Sequence, residues 1–324
     1  MVAKSYRPPF TVSPTALAAV AEIMRLVGRY EGLDRPSPQP TLRRSNRIRT
    51  VVGSLAIEGN TMSVDQVSAL LEGKRVAGTQ REVREVTNTI AAYDAAPSFN
   101  PGRERDLLRA HRGLMEGLIA DAGRFRAGGV GIFRGKALAH MAPPARLVPE
   151  LVARLLGFVR GDKTPALIKA AVVHYELEFI HPFSDGNGRL GRLWQHVLLR
   201  RAHPVFELVP VESVVRARQA AYYRVLGACD AAGDSTQFID FSLAAIHDSL
   251  RELLDALRPV PMTGADRVAL AQAPFGAATF SRKDYLQLFK RLSSATASRD
   301  LRDGVEAGTL IRTGERALAR YRFR

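Results

Sequence analysis

Twelve consecutive residues, His181 to Arg192, gather a base, a hard oxygen ligand, flexible backbone and two guanidiniums. The run reads His181-Pro182-Phe183-Ser184-Asp185-Gly186-Asn187-Gly188-Arg189-Leu190-Gly191-Arg192 and leads into a helix that continues through Trp194, Val197 and Leu198. Histidine takes a proton near neutral pH, which makes His181 a candidate general base. Asp185 offers a single carboxylate, which suits Mg²⁺ shared with phosphates. Gly186 and Gly188 allow close backbone approach, and unpaired amides at a helix start attract anions. Arg189 and Arg192 stand three apart on that helix, and the spacing predicts that both point towards one anion. Base, metal ligand, anion cradle and cationic clamps together make up what phosphoryl or nucleotidyl transfer requires.

Helices must position these groups, and helix signals dominate the chain. Ser13-Pro14 and Thr164-Pro165 each place a capping residue before a proline at the first helical position. Ser63 and Gln66 form a capping box for a helix stopped by Gly73. Apolar residues recur at three- and four-residue spacing through Leu107–Leu118, Leu151–Val159, Leu167–Phe179 and Phe238–Leu254. From Leu42 to Ile57 the residues Ile48, Val51, Val52, Leu55 and Ala56 predict one helix face, ending at Glu58 before Gly59. A carboxylate at that end meets the negative pole of the helix and calls for a cation. Strand signals are scarce apart from Gly128 to Pro144, which predicts an extended hairpin. His174 and His196 lack metal-ligand spacing and are expected to be structural. The fold class expected is therefore mainly α.

The run 181–192 resembles the signature of the Fic family, His-x-Phe-x-Asp-Gly-Asn-Gly-Arg-x-x-Arg, at all eight of its fixed positions. The resemblance implies a Fic-type helical bundle that transfers AMP from MgATP to a Ser, Thr or Tyr hydroxyl of a target protein. By that resemblance His181 deprotonates the hydroxyl and Asp185 holds Mg²⁺. Gly186, Asn187 and Gly188 form the anion hole, Asn187 lying near the α-phosphate, and Arg189 and Arg192 bind the outer phosphates. Phe183 anchors the loop in the core. The Gly128–Pro144 hairpin is similar to the family's flap, which aligns a target backbone by strand addition. The stretch from Arg218 through Tyr222, Tyr223 and Leu226 is similar to the helix that lines the adenine pocket. Tyr222 and Tyr223 are thus nucleotide-contact candidates, with simple core packing the competing reading. The family's tryptophan beyond them is replaced here by Phe238.

Upstream, Ser54, Glu58 and Gly59 resemble the family's inhibitory motif, Ser/Thr-x-x-x-Glu-Gly/Asn. The resemblance implies that Glu58 pairs with Arg192 and removes the cation that should hold the γ-phosphate, in a protein whose inhibitory helix precedes the catalytic loop. A paired carboxylate of this kind biases such an equilibrium roughly 10²-fold. Alternatives in view are removal of AMP by the same glutamate, transfer of another nucleotide, and a phosphocholine or kinase-like variant. A different class is a transcription regulator that senses nucleotide.

Of 324 residues 46% are hydrophobic and 24% charged, enough apolar material for a core. No apolar run reaches the roughly 18 residues that span a bilayer, and Met1 to Phe10 lacks a signal core. A single cysteine, Cys229, excludes a disulfide framework or Cys-based zinc cluster. The chain is expected to be cytoplasmic, with no membrane partner. A net charge of +15 favours acidic partners without selecting one. Beyond the Arg258-Pro259-Val260-Pro261 break, residues 260–324 hold 12 Lys/Arg against 6 Asp/Glu. Helices, a Thr313-Gly314 turn and the alternating Leu318–Phe323 segment describe a winged helix with a closing two-stranded ribbon. Ala297, Leu301 and Val305 would pack inward and Ser298, Arg299 and Arg302 outward. The organisation expected is 1–100 as an N-terminal helical region with the inhibitory helix, 101–258 as the catalytic core, and 260–324 as the winged-helix module. Partners in view besides the target hydroxyl are the chain itself, through self-modification, DNA at 260–324, and a second copy in a homodimer.

Overall fold

The computed structural model describes residues 7–33, 40–134, 137–257, 262–290, 292–315 and 318–324, with the backbone alone for 132–134 and 137–140. The chain divides into two compact units, Met1–Leu257 and Arg258–Arg324. In the first, α1 (Pro14–Glu31), α2 (Pro40–Ile57), α3 (Val64–Leu71), α4 (Gln80–Ala95) and α5 (Glu104–Met115) lead to a hairpin of β1 (Gly131–Arg134) and β2 (Ala137–Met141). Then come α6 (Val148–Gly161), α7 (Ala166–Ile180), α8 (Asn187–Ala202), α9 (Val211–Ala217), α10 (Gln219–Ala232) and α11 (Thr236–Leu257).

The capping chemistry explains several boundaries. Ser13 accepts from the Ala16 amide at the start of α1, and Ser63 with Gln66 closes a reciprocal capping box on α3. Gly73 and Gly59, both at positive φ, follow α3 and α2. Thr164 does not cap α7 as its Thr-Pro signal suggests. Its hydroxyl turns back onto Asp162 at 2.5 Å, Pro165 takes the cap position with no side-chain bond, and the helix starts at Ala166.

At the centre lies α7, which has no polar face. Leu167, Ile168, Ala170 to Val173, Tyr175, Leu177 and Ile180 are all buried, as expected of a helix surrounded by protein. It packs most extensively along α8, whose Trp194 is fully buried and donates to the Pro101 carbonyl at 3.2 Å. The main core draws on α1, α4 to α8, α10 and α11, so residues from both sides of position 100 build one interior. A smaller cluster of Ile48, Val51, Leu55, Met62, Val67 and Val86 holds α2 against α3 and α4. On its other side α2 meets the start of α9 at Gly53. A Cβ there would lie 2.7 Å from the Glu212 carbonyl carbon, so only glycine permits this backbone approach.

The second unit contains α12 (Gly264–Phe275), β3 (Phe280–Ser281), α13 (Arg282–Leu288), α14 (Ser294–Glu306), β4 (Leu310–Thr313) and β5 (Arg320–Phe323). Its sheet has three strands in the order β3-β5-β4, one more than the ribbon expected, because Phe280 pairs with Tyr321 and is itself buried. Val268, Ala271, Tyr285, Ala297, Leu301, Leu310 and Phe323 complete a separate core. On α14, Ala297 and Leu301 point inward, while Arg299 and Arg302 are exposed. The Arg258–Pro261 break itself lies outside the described residues.

Candidate active site

The loop between α7 and α8 is built on two unusual backbone positions. His181 ends α7 in the left-handed region, φ 49° and ψ 62°, with its amide still bonded to the Leu177 carbonyl at 3.1 Å. Among the described residues it is the one non-glycine with positive φ. Such conformations persist where surrounding structure enforces them, and they cluster at functional sites. Gly186, φ 85°, caps α8, and a Cβ there would lie 2.5 Å from the Met115 sulfur.

Four residues enforce this loop. Asn187 accepts from the Phe183 amide and donates to the Phe183 carbonyl, both at 2.9 Å. Phe183 is fully buried and stacks on the His111 ring, centroids 3.6 Å apart. His111 accepts from the Gly123 amide at Nδ1, so Nε2 carries the proton and donates to the Asp185 carbonyl at 2.9 Å. Burial pushes the His111 imidazole down to about 4, which keeps that neutral form in place. Arg126, 4% exposed, ties the loop to the hairpin: it donates to the carbonyls of His181 (2.7 Å), Gly128 (2.8 Å), Pro143 (2.5 Å) and Ile180 (3.3 Å).

These supports frame a cavity of about 560 Å³, into which His181, Asp185, Gly186, Asn187, Gly188 and Glu58 face, with Tyr222 and Tyr223 on the other side. The volume falls within the usual range for small-molecule sites. At Gly188 a Cβ would lie 2.5 Å from the Glu58 carboxylate and 3.2 Å from both Arg192 Nη1 and Glu178 Oε1. The cradle, two carboxylates and one guanidinium thus converge on a single glycine.

The two arginines do not aim at one anion. Arg192, 2% exposed, donates to Glu58 Oε1 at 2.5 Å, to the Ser54 carbonyl at 3.1 Å and, through Nε, to Ser54 Oγ at 3.2 Å. Burial alone would lower its pKa, but the charges of Glu58 and Glu178 raise it instead, so the guanidinium stays ionised. Arg189 turns the other way, to Asp185 at 3.0 Å and Glu85 at 3.6 Å. Three residues along a helix is about 300° of rotation, and local acids capture each side chain separately.

Glu58 follows the last turn of α2, where its amide and those of Gly59 and Asn60 bond back to Leu55 and Ala56. The Ile57 carbonyl accepts from Tyr223 (3.0 Å) and Gln219 (2.8 Å), which fixes this helix end to α10. Tyr222 is buried and donates to Glu178 Oε1 at 3.0 Å. Burial pushes Glu178 up, but neighbouring His174 and the charge of Arg192 outweigh it and hold the carboxyl down at about 2. His174 is structural, bonded to Gln195 at 2.7 Å. Phe238 is buried and edge-on to His174, centroids 5.1 Å apart.

Two buried polar atoms here lack partners, Arg192 Nη1 and Arg189 Nε. Arg192 Nη1, an unmatched donor 3.2 Å from where a Gly188 Cβ would lie, suits a bound phosphate chain. Asp185 binds Arg189 and, at 3.5 Å, Arg81. Among the described residues no group of three or more His, Cys, Asp or Glu could hold a metal ion. A Mg²⁺ ion at Asp185 would therefore need phosphate oxygens and water for the rest of its shell, which is its normal habit.

Arg126, His111 and Glu178 carry much of this geometry without standing out in the sequence. Their only signal is polarity in unsuitable company: His111 and Glu178 interrupt apolar helix patterns, and Arg126 precedes a glycine-rich turn.

Residues 101–199 match the model of the Fic/DOC family. The chain is 30% identical over 223 residues to the protein adenylyltransferase fic-1 of Caenorhabditis briggsae, covering 64% of this chain and 41% of that protein. It is 28% identical over 314 residues to the protein adenylyltransferase Fic of Culex quinquefasciatus, covering 86% and 59%. The chain thus spans about half the length of these curated relatives. A crystal structure of a Fic family protein from Desulfovibrio desulfuricans G20 is 43% identical, with 98% of each chain covered and a TM-score of 0.76. Fic-1 from Caenorhabditis elegans, at 24% identity and TM-score 0.63 over 76% of this chain and 74% of that one, shares the fold.

Proposed function

The chain belongs to the Fic family, and from that premise we propose that it transfers AMP from ATP to a hydroxyl side chain of a target protein and is held back by Glu58. One observation carries this reading: His181, the Gly186–Gly188 cradle and Glu58, the partner of Arg192, meet around one cavity. With its proton on Nδ1, His181 donates to the Glu178 carbonyl at 3.3 Å, and the basic lone pair is on Nε2. The target hydroxyl gives its proton to that nitrogen while its oxygen attacks the α-phosphorus. The new O–P bond forms as the bond to the β-phosphate oxygen breaks, and pyrophosphate leaves. Backbone amides at the start of α8 receive the charge that grows on the α-phosphate. Asp185 is the residue to hold Mg²⁺, which when bound neutralises phosphate charge. Tyr222 and Tyr223 wall the base side of the cavity, Tyr222 with its hydroxyl committed to Glu178 and Tyr223 to Ile57. The hairpin supplies an edge against which an extended target segment aligns.

The brake follows from Arg192. While Glu58 holds this guanidinium, Arg192 is withdrawn from the γ-phosphate, and ATP binds in a pose that does not react. Self-modification is expected once the pair opens. Incubation of the full chain with α-labelled ATP and cell lysate tests both parts. Glu58→Gly should label proteins well above wild type, and Glu58→Gly with His181→Ala should label none. Absence of label with Glu58→Gly would remove the transfer reading; label at the wild-type level would remove the brake.

The second unit supports a winged-helix reading through its helix–strand–helix–helix–strand–strand order. Arg299 and Arg302 are exposed on α14, but Arg302 is tied to Asp303 and Glu306. The basic surplus suits phosphate contact. A gel shift with random-sequence duplex DNA, with and without ATP, tests this; salt-independent or absent retardation would favour a protein-docking role.

A further inference from the structure

One and two helical turns beyond Arg192 on α8, His196 and Arg200 line a second cavity, about 330 Å³, which they share with α2. Arg43, Arg44, Arg47 and Thr50 of α2 form the facing wall, and Asp94 and Glu207 also open onto it. Four guanidiniums thus meet two carboxylates. Glu207 is divided between Arg43 and Arg200, each at 3.2 Å, while Arg47 binds Asp94 and Arg44 reaches outward to Glu72.

One buried polar atom of this cavity is unsatisfied. The Nε of Arg47 is buried without a partner. His196 is 8% exposed and lies against Tyr93 with ring centroids 5.2 Å apart. Buried polar groups are normally paired, and an orphaned guanidinium nitrogen on a hollow lined by four arginines points to a missing partner. Burial and the nearby Arg200 hold His196 neutral, so its ring offers one donor and one acceptor. A carboxylate has two oxygens for these donors. A phosphate has three or four, and guanidinium forks match its edges.

We infer that the cavity between α2 and α8 is a binding site for the phosphate group of a small molecule, with Arg43, Arg47 and Arg200 as its clamp and His196 as its floor. The site does not depend on the transfer reading and shares no residue with the catalytic cavity. Full-length chain labelled with ¹⁵N-histidine tests it by NMR, titrated with inorganic phosphate in one arm and glycerol 3-phosphate in the other, at ionic strength held constant with chloride. A saturable shift of the His196 resonances in either arm supports the site, and the arm that saturates first tells free phosphate from a phosphate ester. Arg43→Gln with Arg200→Gln, both on partly exposed side chains, should weaken that response about tenfold. The same variant should leave any response of His181 unchanged. A His196 response no different from chloride alone, or an affinity unaltered by the double substitution, overturns the inference.

Discussion

At the scale of single residues, Arg192 is where fold and chemistry meet. It has three bonds to the end of α2, and they differ in kind: one to a carboxylate, one to a backbone carbonyl, one to the Ser54 hydroxyl. Removing Glu58 frees the charge outright, and about 10²-fold more AMP incorporation is expected. Ser54→Ala takes away only the Oγ acceptor and leaves Arg192 Nε buried and unpaired, a cost of about 1–3 kcal/mol to the closed arrangement. Its incorporation rate should therefore fall between wild type and Glu58→Gly; an initial rate equal to wild type would show that the hydroxyl does not hold the brake. The motif makes Ser54, Glu58 and the loop 181–192 legible in the sequence. The separate fates of Arg189 and Arg192 are not, because helical spacing says where a side chain starts and not which acid captures it. Asn187 was legible as a member of the cradle, yet both polar atoms of its side chain staple Phe183. What it offers an anion is its backbone.

Among elements, the relation between the hairpin and the catalytic loop depends on Arg126. Its guanidinium bonds Gly128 and Pro143, at the two ends of the hairpin, and Ile180 and His181 at the end of α7. One side chain therefore sets where the hairpin lies relative to His181. Arg126→Ala would strip partners from four carbonyls. We expect a loss of about 2–3 kcal/mol, read from urea midpoints. In the Glu58→Gly background, transfer to target proteins should fall more steeply than nucleotide affinity. Equal loss in both would mean that Arg126 merely supports the fold. Most helices and their caps, Thr164 excepted, were legible because their signals lie within four residues, and the hairpin because glycine and proline bracket it. Arg126 was not, since its partners lie up to 55 residues away and are backbone atoms, which carry no sequence identity.

In the whole molecule, buried ionisable groups set how stability follows pH. His111 and His196 are both pushed by burial from 6.5 down to about 4. The unfolded chain binds their protons first, so the stability they permit is complete above pH 6.5 and is lost as pH falls towards 4. Glu212 behaves oppositely. Burial beside the close α2–α9 crossing raises it from 4.5 to about 7, with Tyr93 donating to one oxygen at 2.8 Å and the other oxygen unpartnered. Its protonated form stabilises the fold fully below pH 4.5, and that contribution is lost as pH rises through 7. Between about pH 4.5 and 6.5 the unfolded chain therefore binds up to two more protons at histidine and one fewer at Glu212. Stability rises with pH at about 1.4 kcal/mol per unit from these groups. Glu178, held at about 2, adds nothing in that window, since its stabilising charge is lost only below 4.5. Glu212→Gln keeps an acceptor for Tyr93, gives the orphaned position a donor and removes the opposing titration. Its slope should double to about 2.7 kcal/mol per pH unit. Trp194, the single tryptophan and fully buried in the first unit, reports that unit alone. Urea midpoints followed by its fluorescence at pH 6.5, 5.5 and 4.5 measure both slopes. Parallel slopes in the two proteins would mean that Glu212 is already charged at the lower end of the window, and that the α2–α9 crossing accommodates a carboxylate rather than a carboxylic acid.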